Sequence, residues 1–117
     1  MDSRKHLVES YFEGFRNGDH EAILALLTDD VVWDLYGHRR LEGKEAFDAE
    51  IENEDFVGTP KLDVDRLVEE GETVVSLGNG EATTAGGDVL RFAFSTVLTF
   101  DGEAISRVES YVVPLAG

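Results

Sequence analysis

From Asp88 to Pro114 the chain alternates apolar and polar positions with a period of two, broken once at Asp101-Gly102. Successive side chains of a strand point to opposite faces. The pattern therefore predicts two long strands, Leu90–Phe100 and Ala104–Val113, folded back on each other at the aspartate-glycine turn. Strict alternation puts Phe92, Phe94, Thr96, Leu98 and Phe100 on one face of the first strand. It puts Ile105, Arg107, Glu109, Tyr111 and Val113 on one face of the second. If that face points inward, an arginine and a carboxylate sit inside an apolar container. Such a pair is either a structural ion pair or the polar end of a pocket.

Earlier in the chain the period changes. Leu7, Val8, Tyr11, Phe12 and Phe15 recur at helical spacing and predict a helix over Ser3–Asn17, capped by Asp2 or Ser3 and stopped at Gly18. Asp19 would cap a second, well-buried helix over His20–Leu27, ended by Asp29-Asp30. A short strand, Val31–Tyr36, and a polar connection, Gly37–Gly43, follow. A third helix is expected over Lys44–Asn53, with Ala46, Phe47, Glu50 and Ile51 on one side and an acidic, solvated opposite side. Asp55–Pro60 reads as a loop. From Lys61 onward, turn signals at Gly71, Gly86-Gly87 and Gly102 mark a meander of long antiparallel strands, including Leu62–Glu69 and Thr73–Ala85. Gly78-Asn79-Gly80 is expected to bend a strand, not to turn it. Helices first and a long sheet later predict an α+β domain, three N-terminal helices packed on one face of a curved, mostly antiparallel sheet.

Composition narrows the partners. The 117 residues suit one domain with a real core. Twenty-five acidic residues against ten basic ones give a net charge of −15, which repels phosphate backbones and anionic membranes. Cysteine is absent, which excludes disulfides and thiolate metal sites and fits a reducing, cytoplasmic setting. No apolar run approaches the ~20 residues of a membrane helix. The three histidines lack paired-ligand spacing, so no metal is expected. No glycine-rich phosphate loop or nucleophile elbow is present, and no cofactor is expected.

Several loose motifs occur in order along the chain: Tyr11-Phe12, Asn17-Gly18-Asp19, Leu24–Trp33, Leu41–Ala46 and Phe100–Glu103. In that order and spacing the sequence resembles a SnoaL-like polyketide cyclase of the wider nuclear transport factor 2-like superfamily. The resemblance implies a cone-shaped α+β barrel with a pocket between helices and sheet, and a homodimer formed through the outer sheet face. That face is expected to carry Ala93, Ser95, Val97, Thr99, Val108, Ser110 and Val112.

The same resemblance suggests chemistry. Glu109 falls where epoxide hydrolases of this superfamily keep a catalytic acid, and a carboxylate in an apolar pocket can work as acid or base near neutral pH. Asp34 lies beside the position of the steroid isomerases' proton-abstracting aspartate. Tyr11 corresponds to their oxyanion-stabilising tyrosine, and Thr96 stands where they place a second, acidic donor. Gly78 and Gly80 occupy positions where the epoxide hydrolases need an arginine and an aspartate, so that triad is absent. Trp33, Tyr36, Phe92 and Phe94 are candidate pocket walls, His38 a candidate mouth residue, and Arg107 and Tyr111 candidate contacts. The expected ligand is a small apolar organic molecule. The expected reaction is cofactor-free isomerisation, cyclisation or dehydration beside a carbonyl, with Glu109 or Asp34 as base. The alternative is a non-catalytic binding or dimerisation domain of the same fold.

Overall fold

The computed structural model describes residues 3–52 and 55–115. The N-terminal apolar stripe forms α1, Arg4–Asn17, which buries Val8, Tyr11 and Phe12. The Ser3 hydroxyl accepts from the His6 amide, satisfying one of the donors that a first turn leaves open; the alternative cap, Asp2, lies outside the described residues. Gly18 ends the helix at φ +63°, in the left-handed region where glycine carries no steric penalty.

The next helix, α2, is only His20–Leu24, and of its residues only Ile23 is buried. The expected length to Leu27 fails because the sheet claims that backbone. Ile105 donates its amide to the Leu26 carbonyl at 2.8 Å, and Leu27 already pairs with Ile105. Strand β1 therefore runs Leu27–Leu35 and includes Asp29-Asp30. The segment expected as a polar connection contains a strand, β2 (Arg39–Glu42), paired antiparallel with β1 through Trp33↔Leu41 and Asp34↔Arg40. Helix α3 covers Lys44–Ile51 and buries Phe47; Asn53, its expected end, is outside the described residues. Strand β3, Phe56–Glu70, takes in most of the segment expected as a loop. Then follow β4 (Thr73–Thr84), which runs straight through Gly78-Asn79-Gly80, β5 (Val89–Asp101) and β6 (Ala104–Pro114). The last hairpin turns on Gly102-Glu103, one residue later than the dipeptide signal, with Asp101 paired to Ala104.

The six strands form one curved, unclosed sheet in the order β2-β1-β6-β5-β4-β3, antiparallel except for the β1–β6 pair. The three helices pack on one face of it. Phe12 of α1 lies over Phe94 at 5.6 Å between ring centroids, and Phe47 of α3 stacks on Trp33 at 4.3 Å. The inner face of β5 carries Phe92, Phe94, Thr96, Leu98 and Phe100, as its alternation requires.

Strand β6 does not keep strict alternation. Thr99 pairs with Arg107 and Phe100 with Ile105, so Ser106 is an extra residue, a β-bulge. The Ser106 hydroxyl donates to the Thr99 carbonyl at 3.2 Å and satisfies the backbone there. Beyond the bulge every side chain changes face. Val108 and Ser110 are buried opposite Leu98 and Thr96, on the inner face. Arg107, Glu109, Tyr111 and Val113 lie opposite Thr99, Val97, Ser95 and Ala93, on the outer face. The expected enclosure of the Arg107–Glu109 pair among aromatic walls is thus overturned, as is the placing of Val108, Ser110 and Val112 on the outer face.

Gly78 and Gly80 have a packing reason. Gly78 pairs with Phe94 and Gly80 with Phe92. A Cβ at Gly78 would come within 2.9 Å of the Phe94 ring, and one at Gly80 within 2.8 Å of the Phe92 ring, with β3 backbone carbonyls closer still. Gly78→Ala is expected to cost about 1–3 kcal/mol through overpacking. Gly86→Ala, whose Cβ would have no neighbour nearer than 3.9 Å, is expected to be close to neutral. Urea denaturation of both variants checks the difference.

Candidate functional site

Two groups of chemistry-bearing side chains emerge, one on each face of the sheet. On the inner face the helices and β1, β5 and β6 bring together Tyr11, Trp33, Phe47, Phe92, Phe94, Thr96 and Ser110, all buried. Trp33 donates its indole Nε1–H to Ser110 Oγ at 2.9 Å. Tyr11 packs its ring against Phe12, Phe15 and Phe47. Burial raises its phenol pKa, so the group stays a neutral donor. Among the described residues, the buried side-chain polar atoms without a hydrogen-bond partner are Thr28 Oγ1 and Arg107 Nε; the Tyr11 and Thr96 hydroxyls are not among them. Of the sequence-derived candidates, Tyr11, Trp33, Phe92, Phe94 and Thr96 are therefore brought together.

Asp34, Tyr36, Arg107, Glu109 and Tyr111 assemble on the other side. Trp33 points inward, so its neighbour Asp34 points outward, in register with Glu109 across the parallel β1–β6 pair. Arg107 donates to Asp34 at 2.7 Å and its Nε lies 3.8 Å from Glu109, too long for a hydrogen bond. Arg40 adds a looser contact to Asp34 at 3.7 Å. The Asp34 side chain is 10% exposed, Glu109 22% and Arg107 42%. The cluster is shielded at its carboxylates and open at its cation. Tyr36 donates its hydroxyl to Glu109 at 2.7 Å, and its ring lies 4.7 Å from that of Tyr111.

These contacts change titration behaviour. The hydrogen bond to Glu109, helped by desolvation, pushes the Tyr36 phenol up to about 12. Arg107 holds its proton more tightly than usual, through the Tyr36 hydroxyl first and then the Glu109 charge. Arg107 sits between two carboxylates and a phenol, with its Nε buried and without a hydrogen-bond partner; the cluster is an ion-pair network, the structural alternative that the sequence left open.

His38 is exposed in the β1–β2 connection, among neither group. One carboxylate on the helix side of the sheet was assigned no role from the sequence. Glu50 of α3 is 12% exposed and pairs with Arg39 of β2 at 3.3 Å. The signal was its spacing of three from Phe47, which places both on the packed side of the helix. A groove of about 610 Å3 runs between α1 and β3, floored by Phe12, Val64 and Leu67. Its rim carries Lys5, Arg16 and Arg66 against Glu9, Glu13 and Asp65. The opposed charges balance, so the groove selects no charge class of ligand.

The outer-face network has a spectroscopic consequence. Tyrosine ionisation followed by ultraviolet absorbance should show the Tyr36 component with its midpoint near 12. Glu109→Gln removes the acceptor charge and should lower that midpoint toward 10, the ordinary phenol value. An unchanged titration in Glu109→Gln would show that the pair does not exist in solution.

The fold and both faces can now be set beside known proteins. No curated protein sequence matches this chain. Many solved structures do. An NTF2-like protein of unknown function from Burkholderia pseudomallei is 25% identical, covers 97% of this chain and 92% of its own, and superposes with a TM-score of 0.86. A putative polyketide cyclase from Pseudomonas putida is 22% identical, with coverage of 95% and 92% and a TM-score of 0.80. An LEH-like epoxide hydrolase of M. tuberculosis is 18% identical, with coverage of 94% and 82% and a TM-score of 0.82. At such identities these two likenesses establish the fold alone. The family model described as the SnoaL-like domain matches residues 8–108, and the chain accordingly belongs to the SnoaL-like domain family.

Proposed function

We propose that this chain is a small-molecule-binding domain that holds an apolar ligand between its helices and the inner sheet face, without acid–base chemistry by Glu109 or Asp34. The observation that carries this reading is the cluster of buried rings, Trp33, Phe92 and Phe94, with the Tyr11 and Thr96 side chains set among them. A ligand that presents a carbonyl or ether oxygen can accept from these hydroxyls while its apolar body covers Trp33, Phe92 and Phe94. Binding through the inner face leaves Glu109 and Asp34 on the far side of the sheet, occupied by Arg107. Proton transfer by either would require the substrate to sit on the outer face. This favours the binding domain over the isomerase, cyclase or dehydratase reading.

The test uses prodan, a neutral fluorescent aromatic ketone. Saturable enhancement of its emission is expected with the wild-type chain. Tyr11→Phe should weaken binding about five-fold, the value of roughly one hydrogen bond. Thr96→Val should weaken it similarly, whereas Glu109→Gln and Asp34→Asn should leave it unchanged. Equal binding by wild type, Tyr11→Phe and Thr96→Val would refute the reading.

The partner we propose for the outer face is a second copy of the chain. Tyr36, Tyr111 and Val113 are exposed there beside a network of both charge signs, a combination that can complement itself across a two-fold axis. Sedimentation equilibrium should report a dimer for the wild type and a monomer for Tyr111→Glu. A monomeric wild type would exclude this partner.

A further inference from the structure

Helix α3 is tied to its neighbours by charged side chains. Lys44 at its start faces Asp29 at 3.6 Å, and Glu50 pairs with Arg39. A further tie is His20, the first residue of α2. Its Nδ1 lies 2.6 Å from Asp48 Oδ1 and its Nε2 lies 2.9 Å from Glu52 Oε1. A neutral imidazole has one N–H and one lone pair, so it can donate to only one of the two carboxylates. The lone pair would then face the other carboxylate, which is repulsive. Both contacts are satisfied together only when both ring nitrogens carry protons.

We propose that His20 is a pH-sensitive latch on α3, closed as the imidazolium and loosened when it loses a proton. The helix it holds is a cover over the inner-face site, because Phe47, one residue before Asp48, stacks on Trp33. Among the described residues, the charged groups around the ring are as follows. From α3, Asp48 and Glu52 face the ring. On its own element, Asp19 is engaged in capping Ala22, and Glu21 adds only negative charge nearby. The α1 end reaches Glu52 through Gly18, and β3 approaches through Thr59, both uncharged. The Arg16 side chain is committed to the Leu62 carbonyl and Glu13.

The sign follows from the partners. The hydrogen bond to Asp48 and then that to Glu52 raise the His20 pKa above its ordinary 6.5. The latch therefore contributes in full below pH 6.5 and is lost as pH rises through the raised, folded-state value. In its effect on ligand access this inference rests on the inner-face binding site proposed above. The latch itself does not, and it can be read without a ligand.

The chain supplies its own probe, since Trp33 is its single tryptophan. Trp33 emission followed from about pH 5 to about pH 9 should change in one step, with its midpoint above 6.5. The step should vanish in His20→Gln. In the Asp48→Asn, Glu52→Gln double variant, which keeps the imidazole, the midpoint should fall toward 6.5. His6 and His38 are retained in both variants, so a step due to either would persist. An identical step in His20→Gln, or no step in the wild type, would overturn the latch. Failure of prodan binding with the step intact would instead sink the ligand site alone.

Discussion

The extra residue that Ser106 inserts into β6 determines which side chains of that strand meet the helices. In a pleated strand a slip of one residue exchanges the two faces completely. The bulge is stabilised locally, since the Ser106 hydroxyl occupies the Thr99 carbonyl. Its consequence is global. Val108 and Ser110 complete the inner core, and Trp33 gains a partner for its indole N–H. Without the slip, Arg107 and Glu109 would be driven against Trp33, Phe92 and Phe94. Burial of a charged pair there would require desolvation that an ion pair alone seldom repays. The bulge lets one strand serve an aromatic interior and a charged exterior at once.

The two faces solve opposite problems. The exterior network satisfies its charges within itself: Asp34 by Arg107 and Arg40, Glu109 by Tyr36 and Arg107. It is well suited to holding β1 against β6, the parallel pair of the sheet. The interior has the reverse character. It is made of rings and hydroxyl-bearing side chains, Tyr11, Thr96 and Ser110 among them.

Helix α3 links the interior to the solvent. Its packed side offers Phe47 to Trp33, while its outer side offers Asp48 and Glu52 to His20. In a chain with fifteen excess negative charges, acidic residues on a helix would ordinarily be only a solvated surface. The position of one histidine gives two of them a structural task.

The order of the helices and of the long strands, the inner face of β5, the apolar side of α1 and a strand that continues through Gly78-Asn79-Gly80 were all legible in the amino-acid pattern. Each depends on periodicity or on local turn chemistry, which neighbouring residues dictate. The end of α2 was not legible, because Leu26 and Leu27 are claimed by a pairing with Ile105, far along the chain. Nor was β2, a strand only because β1 lies beside it. Above all, the side of the sheet on which Glu109, Arg107 and Asp34 fall was decided by tertiary structure. A bulge leaves no mark on composition or period until the partner strand fixes the register, and one residue of register is the difference between a proposed catalytic carboxylate and an exterior ion pair.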